Sequence, residues 1–295
     1  MPALNEEEGI VDVINSIPRT YDHIDQVDIL VVDDGCTDRT AQMARKAGAL
    51  VVSHLGNKGV GLAFRSAVEF AKDGNYDILV SIDADRQFDS NEIVKVIKPI
   101  LEGNDMVAGN RFANGIPENM SKTKYWGNEM MAKLISLITG REFRDVSCGF
   151  RAYGKRALES LNLYGQFTYT QESILDLSFK GFDILEIPVF VRYFPNRKSR
   201  VAGSVIKYAI KTSYIILSFL IIYKPIFILT FLLLAGVLLN TLFYFILPTW
   251  IFTVSLILTS VLFAYSFFVV LFKNIRRVIN NQERILGNME KIRHE

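Results

Sequence analysis

Two carboxylates one residue apart, Asp83 and Asp85, close the apolar run in "VSIDADRQFD" at residues 80–89. Oxygen ligands at that spacing suit a hard divalent cation. Mg²⁺ or Mn²⁺ is commonly held by one or two carboxylates plus substrate phosphates. Gln87 can add an amide oxygen to such a set. The same acids can instead cap the helical segment that starts near Asp89 or Ser90. A second acidic pair, Asp33 and Asp34 in "VVDDGCTDRT", ends another apolar run. Asp34 can accept hydrogen bonds from a nucleobase or ribose, or it can cap its own turn. Arg111 in "GNRF", Lys124, and Arg200 in "FPNRKSR" can meet anions. Each also reads as an ordinary solvated surface charge. Glu172 in "TYTQESILDLSFKG" either lines a ligand cleft or favours the positive end of a helix dipole.

These side chains need elements to hold them. "VDILVVDDGCTDRTAQMARKAG" reads as strand, loop and helix. "ALVVSHLGNKGVGLAFRSAVEFAKDG" and "YDILVSIDADRQFDSNEIVKVIKPILEG" repeat that plan, and "DMVAGNRF" is a fourth short strand. Residues 128–140 read as a helix and "FDILEIPVFVRYF" as a later strand. Strands alternating with helices predict an α/β domain with a largely parallel sheet. Ligands of such sheets bind beyond the carboxyl ends of the strands. Asp33, Asp34, Asp83 and Asp85 therefore line one crevice although they lie far apart in sequence. The Gly-rich "GNKGVGLAFRSA" matches neither the dinucleotide fingerprint nor the phosphate-loop motif. It reads as a tight turn packed close to the crevice. "MPALNEEE" looks like a loop after a first strand, yet no strand precedes it. It is either a lip of a nucleotide crevice or a helix start with acids at the positive dipole end. The expectation is that the chain is numbered from an internal Met.

Charge divides the chain. Residues 1–200 hold 28 Asp/Glu against 24 Lys/Arg, whereas residues 201–295 hold 3 against 9. The acidic part reads as a soluble domain. The basic part surrounds apolar sequence, which points to anionic lipid rather than nucleic acid. No charge intervenes between Lys224 and Lys273. Segments 225–247 and 249–272, broken at Pro248, are each long enough for a hydrocarbon core, which takes about 20 helical residues. So long an uncharged run is rare in soluble folds. Lys224, Lys273, Arg276 and Arg277 flank this hairpin on one side, which by the positive-inside rule puts both termini in the cytoplasm. No cleavable signal precedes the soluble part, so it is expected on the cytoplasmic side. Residues 204–223 carry Lys207 and Lys211 on one face and read as an interfacial helix. The predicted division is a catalytic domain at 1–200, an interfacial amphipathic helix at 201–223, a transmembrane hairpin at 224–273 and a cytosolic tail at 274–295. Cys36 and Cys148 lack metal-type spacing and read as small buried thiols.

The segments "PALNEEE", "VVDDGCTDRT", "GNKGVGLAFRSA", "DADRQFD", "GNRF" and "DVSCGFRAY" occur in that order. With the apolar hairpin they resemble, over essentially the whole chain, the polyprenyl-phosphate glycosyltransferases of glycosyltransferase family 2. Dolichol-phosphate mannose and glucose synthases are familiar members. The resemblance implies a Rossmann-like GT-A fold and a metal-dependent, inverting transfer. The sugar would pass from a nucleotide-diphosphate sugar to a polyprenyl (dolichyl or undecaprenyl) phosphate, with Mg²⁺ or Mn²⁺ as cofactor. It implies that Pro2, Leu4, Glu6, Asp33, Asp34, Asp83 and Asp85 bind the donor, Asp34 at the base and Asp83 near the ribose. Asp83, Asp85 and Gln87 would hold the metal. Arg111, Lys124, Asn128, Ser199 and Arg200 would hold the acceptor phosphate, with Arg111 facing the phosphates. Asp145 and Ser147 of "DVSCGFR" would form the active-site loop, and Asp85, Asp145 and Arg111 would carry the chemistry. Two departures stand out. Phe194 replaces an expected Arg and Arg197 an expected Gly, so Arg192, Arg197 or Lys198 must supply the missing charge. The first strand, internal to the implied sheet, has no counterpart.

A dianionic phosphate can attack directly near neutral pH, so the reading requires no strong general base. The membrane is the plasma membrane or the endoplasmic reticulum, according to the cell type, and a homo-oligomer is compatible with the sequence. A processive polysaccharide synthase is disfavoured because its Q-x-x-R-W signature is absent; Trp126 and Trp250 stand in other contexts. A non-catalytic, membrane-anchored nucleotide-sugar binder is disfavoured by the intact Asp83-Ala84-Asp85.

Overall fold

A computed structural model describes residues 1–163, 165, 167–194, 205–246 and 249–294. The chain divides into two compact units, Met1–Thr212 and Ser213–Glu295.

In the first unit, β1 (Pro2–Ala3), β2 (Leu30–Asp33) and β3 (Leu50–Ser53) form a parallel sheet in the order β1-β2-β3. The runs "LVVD" and "LVVS" are rich in the β-branched residues that pack well on a pleated surface. Pro2–Ala3, expected to be loop, are a two-residue strand in register with Val32 and Asp33. Between the strands lie α1 (Ile10–Ser16) and α2 (Thr40–Lys46), and α3 (Val60–Asp73) follows. Ile10, Val13 and Ile14 of α1 are buried, the spacing of one helix face. Ala63, Phe64, Ala67, Val68 and Ala71 make the corresponding stripe of α3.

The second sheet has the order β4-β6-β5-β7, with β4 (Ile78–Ser81), β5 (Met106–Asn110), β6 (Arg151–Gly154) and β7 (Ile184–Pro188). Here the expectation of a largely parallel sheet needs correction. β5 and β7 are parallel, but β6 runs antiparallel to both β4 and β5. The reason lies in the connection. After β5 the chain runs through α5 (Lys122–Thr139) and the 140–150 loop, and it re-enters the sheet from the end at which β5 left it. The loop before β6 therefore stands at the carboxyl ends of β4 and β5. Every residue of β5 and β6 is buried, so both strands pack on their two faces.

α4 (Ile93–Leu101) packs Ile93, Val96 and Ile97 into the core with Val107, Phe150, Val189 and Val191. α5 begins earlier than residue 128 because Ser121 caps it, accepting from Lys124 N at 3.3 Å. Gly140, at φ 72°, ends it in the left-handed conformation that glycine adopts without steric cost. α6 (Lys155–Ser160) and α7 (Thr170–Phe179) complete the unit.

The backbone helix α8 (Val205–Tyr223) begins in the first unit and ends in the second. The second unit pairs α9 (Pro225–Ile246) with α10 (Thr249–His294), which continues through the polar tail. Pro225–Phe245 and Trp250–Ile275, of mean hydropathy 2.5 and 2.3, are long and apolar enough to cross a membrane. Only 6% of each is buried, the opposite of a core helix in a soluble protein. Asn240 Nδ2 joins the pair, donating to Gly236 O at 2.8 Å and to Thr259 Oγ1 at 2.9 Å.

Candidate active site

The β1 and β2 ends are sewn together mainly by backbone donors. Glu6 N donates to Thr40 Oγ1 at 2.8 Å, and Thr37 N donates to Asn5 Oδ1 at 2.8 Å. Asp33 Oδ1 accepts Cys36 N at 2.7 Å. Burial pushes the Asp33 carboxyl up, but donors from Cys36, Ser53 and Gly35 outweigh it and hold the acid below its usual range. Asp34 is buried, and its carboxylate is engaged by protein. Lys58 N and His54 Nδ1 meet Oδ1 at 3.0 and 2.9 Å, and Gly59 N meets Oδ2 at 2.8 Å. Asp34 thus ties the Gly-rich turn to the β2 end. Gly35 explains the closeness of that packing, because a Cβ there would stand 2.2 Å from the Gly56 carbonyl carbon. Pro2 lies in β1 and Leu4 immediately follows it.

The β4 end is built differently. Asp83 follows the strand and rests against Gly149, where an added Cβ would lie 3.2 Å from both Asp83 oxygens. Burial, then the Asp85 carboxylate, pushes Asp83 up to about 7; Glu6 acts in the same direction, and Arg111 opposes it. Glu6 and Arg111 are therefore electrostatic neighbours of the Asp83–Asp85 pair. Gln87 donates from N to Asp85 Oδ1 at 3.1 Å and from Nε2 to Asp85 Oδ2 at 2.7 Å. In this arrangement Gln87 orients Asp85 with its NH₂ group. The helix-cap role belongs to Asp89, whose Oδ1 accepts Asn91 N at 2.9 Å. Arg86, between Asp85 and Gln87, has φ 61°, and Asn5 in the opposite lip has φ 52°. Non-glycine residues held there store local strain of a kind that clusters at functional sites.

Arg111 leaves the β5 end and meets Asp145 head on. Nε donates to Asp145 Oδ2 at 2.7 Å and NH2 to Oδ1 at 2.9 Å. NH1 donates to Tyr193 Oη at 2.9 Å. Three of the five guanidinium N–H bonds are committed in these contacts. Asp145 is fully buried. Burial raises its carboxyl, and Arg111 together with backbone donors more than reverses this, holding it below the usual range. Asp145 also accepts from the backbone N–H of Ser147 and Cys148. Bidentate pairs of this kind fix both partners.

Several residues that hold this loop escaped the sequence reading. Glu186 of β7 accepts Arg144 N and Asp145 N, both at 2.8 Å, and burial pushes its carboxyl up. Arg151 is wholly buried and donates to the carbonyls of Cys148, Val146 and Thr170. Tyr169 stacks on Phe64 with centroids 3.9 Å apart and bonds to Ser81 Oγ and Gly149 O. Tyr193 sits on a segment in which Val191 bridges Phe88 and Arg192 N donates to Gln87 O at 2.9 Å. A charged residue inside an otherwise apolar strand buried on both faces, as Arg151 is, is the available signal; Glu186 lies on the half-buried β7 and carries none.

Lys124 and Asn128 share a face of α5, which packs onto the β5 exit through Tyr125 on Phe112, centroids 5.2 Å apart. Among the described residues, no hydrogen bond joins either side chain to Arg111 or to the Asp83–Asp85 pair. Glu172 is buried and accepts Gly165 N at 2.8 Å, a structural contact. Cys148 is buried, as expected, and Cys36 is partly exposed. Arg192 is exposed. Arg197, Lys198, Ser199, Arg200 and Pro248 lie outside the described residues.

The pieces amount to a carboxylate pair at one strand end, a cation clamped by a buried acid beside it, and a lip built from two parallel strand ends. Known proteins share the fold that carries these pieces. The structure of glucosyl-3-phosphoglycerate synthase from Mycobacterium tuberculosis, in complex with Mn²⁺, UDP and phosphoglyceric acid, superimposes with a TM-score of 0.57 at 24% identity. That match covers 74% of this chain and 76% of the other, and identifies the GT-A-type fold. Glycosyltransferase AglJ of Haloferax volcanii is 32% identical over 66% of this chain and 61% of its own length. The chain thus spans less than two thirds of that relative. Dolichyl-phosphate hexose transferase of the same organism is 31% identical over 64% of this chain and 79% of its own length. The family model described as glycosyl transferase family 2 matches residues 1–161, more than half of the sequence, and the chain belongs to that family.

Proposed function

We propose that this protein transfers a sugar, with inversion, from a nucleotide-diphosphate sugar to a polyprenyl phosphate at a membrane surface. The observation that carries the reading is the Asp83–Asp85 pair beside the Arg111–Asp145 clamp, in a chain that also holds two membrane-length apolar helices. The name of the Haloferax relative that acts on dolichyl phosphate supports the choice of acceptor.

A divalent cation fits the pair. Asp83 is pushed toward its neutral form chiefly by burial and then by Asp85, and a cation would remove the second of these costs. Asp83 and Asp85 are the proposed ligands, with Gln87 orienting Asp85. Mg²⁺ or Mn²⁺ there would neutralise charge on the departing nucleoside diphosphate. The Mn²⁺ and UDP in the fold neighbour support this. Pro2, Leu4, Glu6 and Asp33 are the proposed donor lip, with Asp34 acting at the base side. Arg111, held in one orientation by Asp145, would direct its two remaining N–H bonds at phosphate. Lys124, Asn128, Ser199 and Arg200 are proposed to receive the acceptor phosphate, with Ser147 in the adjoining loop. The acceptor dianion supplies its own nucleophilic oxygen, so the chain has to bring two anions together and exclude water.

Membrane apposition has support beyond the hairpin. Trp126, Met130, Leu134 and Leu137 form an exposed apolar stripe along α5, flanked by Lys122 and Lys133. Apolar side chains next to lysines suit an anionic lipid surface. We place the catalytic domain (1–200) and tail (274–295) in the cytoplasm, with 201–223 interfacial and 224–273 spanning, from the basic flanks of the apolar run. The test is to incubate membranes carrying the chain with labelled nucleotide sugars, polyprenyl phosphate and Mg²⁺ or Mn²⁺. Label extracted as metal-dependent lipid-linked sugar is expected; label that appears only as free sugar or polymer overturns the reading.

A further inference from the structure

The turn after β3 is held by a side chain that the reaction outlined above does not use. His54 follows β3 with little exposure, its ring wedged between two elements. Nδ1 lies 2.9 Å from Asp34 Oδ1, and Nε2 lies 3.0 Å from Ser66 Oγ on α3. Asp34 accepts only, so Nδ1 carries the hydrogen in this contact. Ser66 can donate or accept, which leaves the Nε2 contact satisfied with either partner supplying the hydrogen. The imidazole thus fixes one rotamer of Asp34 from behind, while Lys58 N and Gly59 N grip the same carboxylate from the front.

What the carboxylate holds matters more than the carboxylate itself. The 55–59 turn follows the carboxyl end of β3 and packs on Gly35 at the carboxyl end of β2. Nucleotide ligands of open α/β sheets lie over these ends. With a donor diphosphate at Asp83 and Asp85, a nucleoside lying over the carboxyl ends of β1–β3 would meet Asp34 and the turn as its wall. Asp34 has little carboxylate surface left for the base, so the turn presents the wall's outer face, with Leu55 and Lys58 exposed on it.

We propose that His54 is a positioning residue for the donor nucleotide, acting through Asp34 to set the 55–59 turn that walls the nucleoside. The proposal rests on the donor reading above. It makes His54 relevant to donor affinity and not to the transfer step.

The experiment uses the full chain in detergent with Mn²⁺ and a panel of UDP, GDP, CDP and TDP as probes. Binding is measured for wild type, His54→Leu, His54→Asn and Ser66→Ala, alongside melting temperature and transfer at saturating donor. His54→Leu removes a hydrogen bond to a charged group, and the nucleotide Kd should rise about tenfold or more. His54→Asn returns a donor near the Nδ1 position and should recover most of that loss. kcat at saturating donor should stay within about threefold of wild type, since the contact is made before and during transfer alike. Ser66→Ala, the mildest change, should raise Kd by roughly two- to fivefold without unfolding, and it decides the matter if His54→Leu does not fold. Unchanged Kd in folded His54→Leu or in Ser66→Ala overturns the proposal. So does a fall in kcat with Kd preserved, or a restored melting temperature in His54→Asn without restored affinity. A wild-type chain that binds none of the four nucleotides would overturn the donor reading itself, and this proposal with it.

Discussion

The two sheets of the first unit both end in carboxylates, yet they treat them in opposite ways. On the parallel β1–β2–β3 side, Asp33, Asp34 and Asp38 are consumed as hydrogen-bond acceptors that shape turns. Backbone N–H groups supply most of the donors, and Asp33 and Asp38 are held below the usual carboxylate range. On the mixed β4–β6–β5–β7 side, the acids face other charges. Asp145 is matched by Arg111, while Asp83 is opposed by Asp85 and pushed up to about 7. Similar acids at similar strand ends therefore have different fates. Where backbone donors surround a carboxylate it becomes part of the scaffold, and where like charge surrounds it, it is the proposed seat for a cation.

The sharpest way to break this contrast is at Asp85. Asp85→Asn keeps the shape and removes one of two opposed charges. Metal-supported transfer should fall about a hundredfold or more, the scale of losing a key electrostatic contact in a reaction site. The domain should remain folded. Near-normal turnover across a Mn²⁺ titration would remove Asp85 from the metal site.

Arg111→Ala tests the paired member of the charged side. It leaves Asp145 buried without its cation, which should cost about 3–5 kcal/mol of stability. Denaturant titration should show that loss, and Arg111→Lys should recover only part of it because the two-pronged contact is gone. Asp33→Asn on the other side should cost less, about 1–3 kcal/mol, because a neutral amide can still accept from Cys36 N.

Gly149→Ala probes the closeness of the β6 loop to Asp83. The new methyl group would stand 3.2 Å from both carboxylate oxygens and 3.1 Å from Tyr169 Oη. A displacement of a few tenths of an ångström should raise the metal concentration needed for half-maximal transfer about tenfold. Gly48→Ala, where a Cβ meets no atom within 4 Å but the backbone sits at φ 81°, should lower stability and leave that metal requirement unchanged.

The Asp83 acid also gives a pH signature. Its value of about 7, against 3.8 for a free side chain, means that the metal-free fold keeps a proton that the unfolded chain has released. The stabilisation from this group is fully present below pH 3.8 and is lost as pH rises through about 7. A bound cation displaces the same proton. Apparent metal affinity should therefore rise up to about pH 7 and then level off. A flat affinity from about pH 5.5 to 8 would contradict the assignment of the raised acid to the metal seat.

The smallest effect is expected at Arg86. Glycine relieves the left-handed conformation at φ 61°, worth about 1 kcal/mol, and loses an exposed ion pair to Asp12, worth about 0–1 kcal/mol. Arg86→Gly should leave stability unchanged or raise it by up to about 1 kcal/mol, as read from the denaturation midpoint.

Much of the fold is legible in the sequence. The apolar runs ending in Asp33 and Asp83 gave strands because β-branched residues and punctuating Gly and Asp leave few other local choices. The charge-free stretch between Lys224 and Lys273 gave two long helices, since length and hydropathy are properties of sequence alone. The ordered motifs named the family that the first 161 residues match. Pro2–Ala3 escaped as a strand because two residues show no periodicity, and β1 exists only through its pairing to β2.

The sequence by itself determined which residue types stand at the ends of which strands. Only the tertiary structure decided which of them meet. Asp145 precedes a strand rather than following one, so no strand-end rule brings it to the crevice. It arrives because β6 is antiparallel: α5 and the loop after it return the chain to the end at which β5 left the sheet, a non-local fact. The same holds for the fate of Asp34. Local sequence offers a capped turn or a nucleobase contact, and Lys58, Gly59 and His54, brought in by the pairing of β2 with β3, make Asp34 the anchor of that turn. A carboxylate's chemistry is set by the donors and charges within a few ångströms of it, and those neighbours come mostly from elsewhere in the chain.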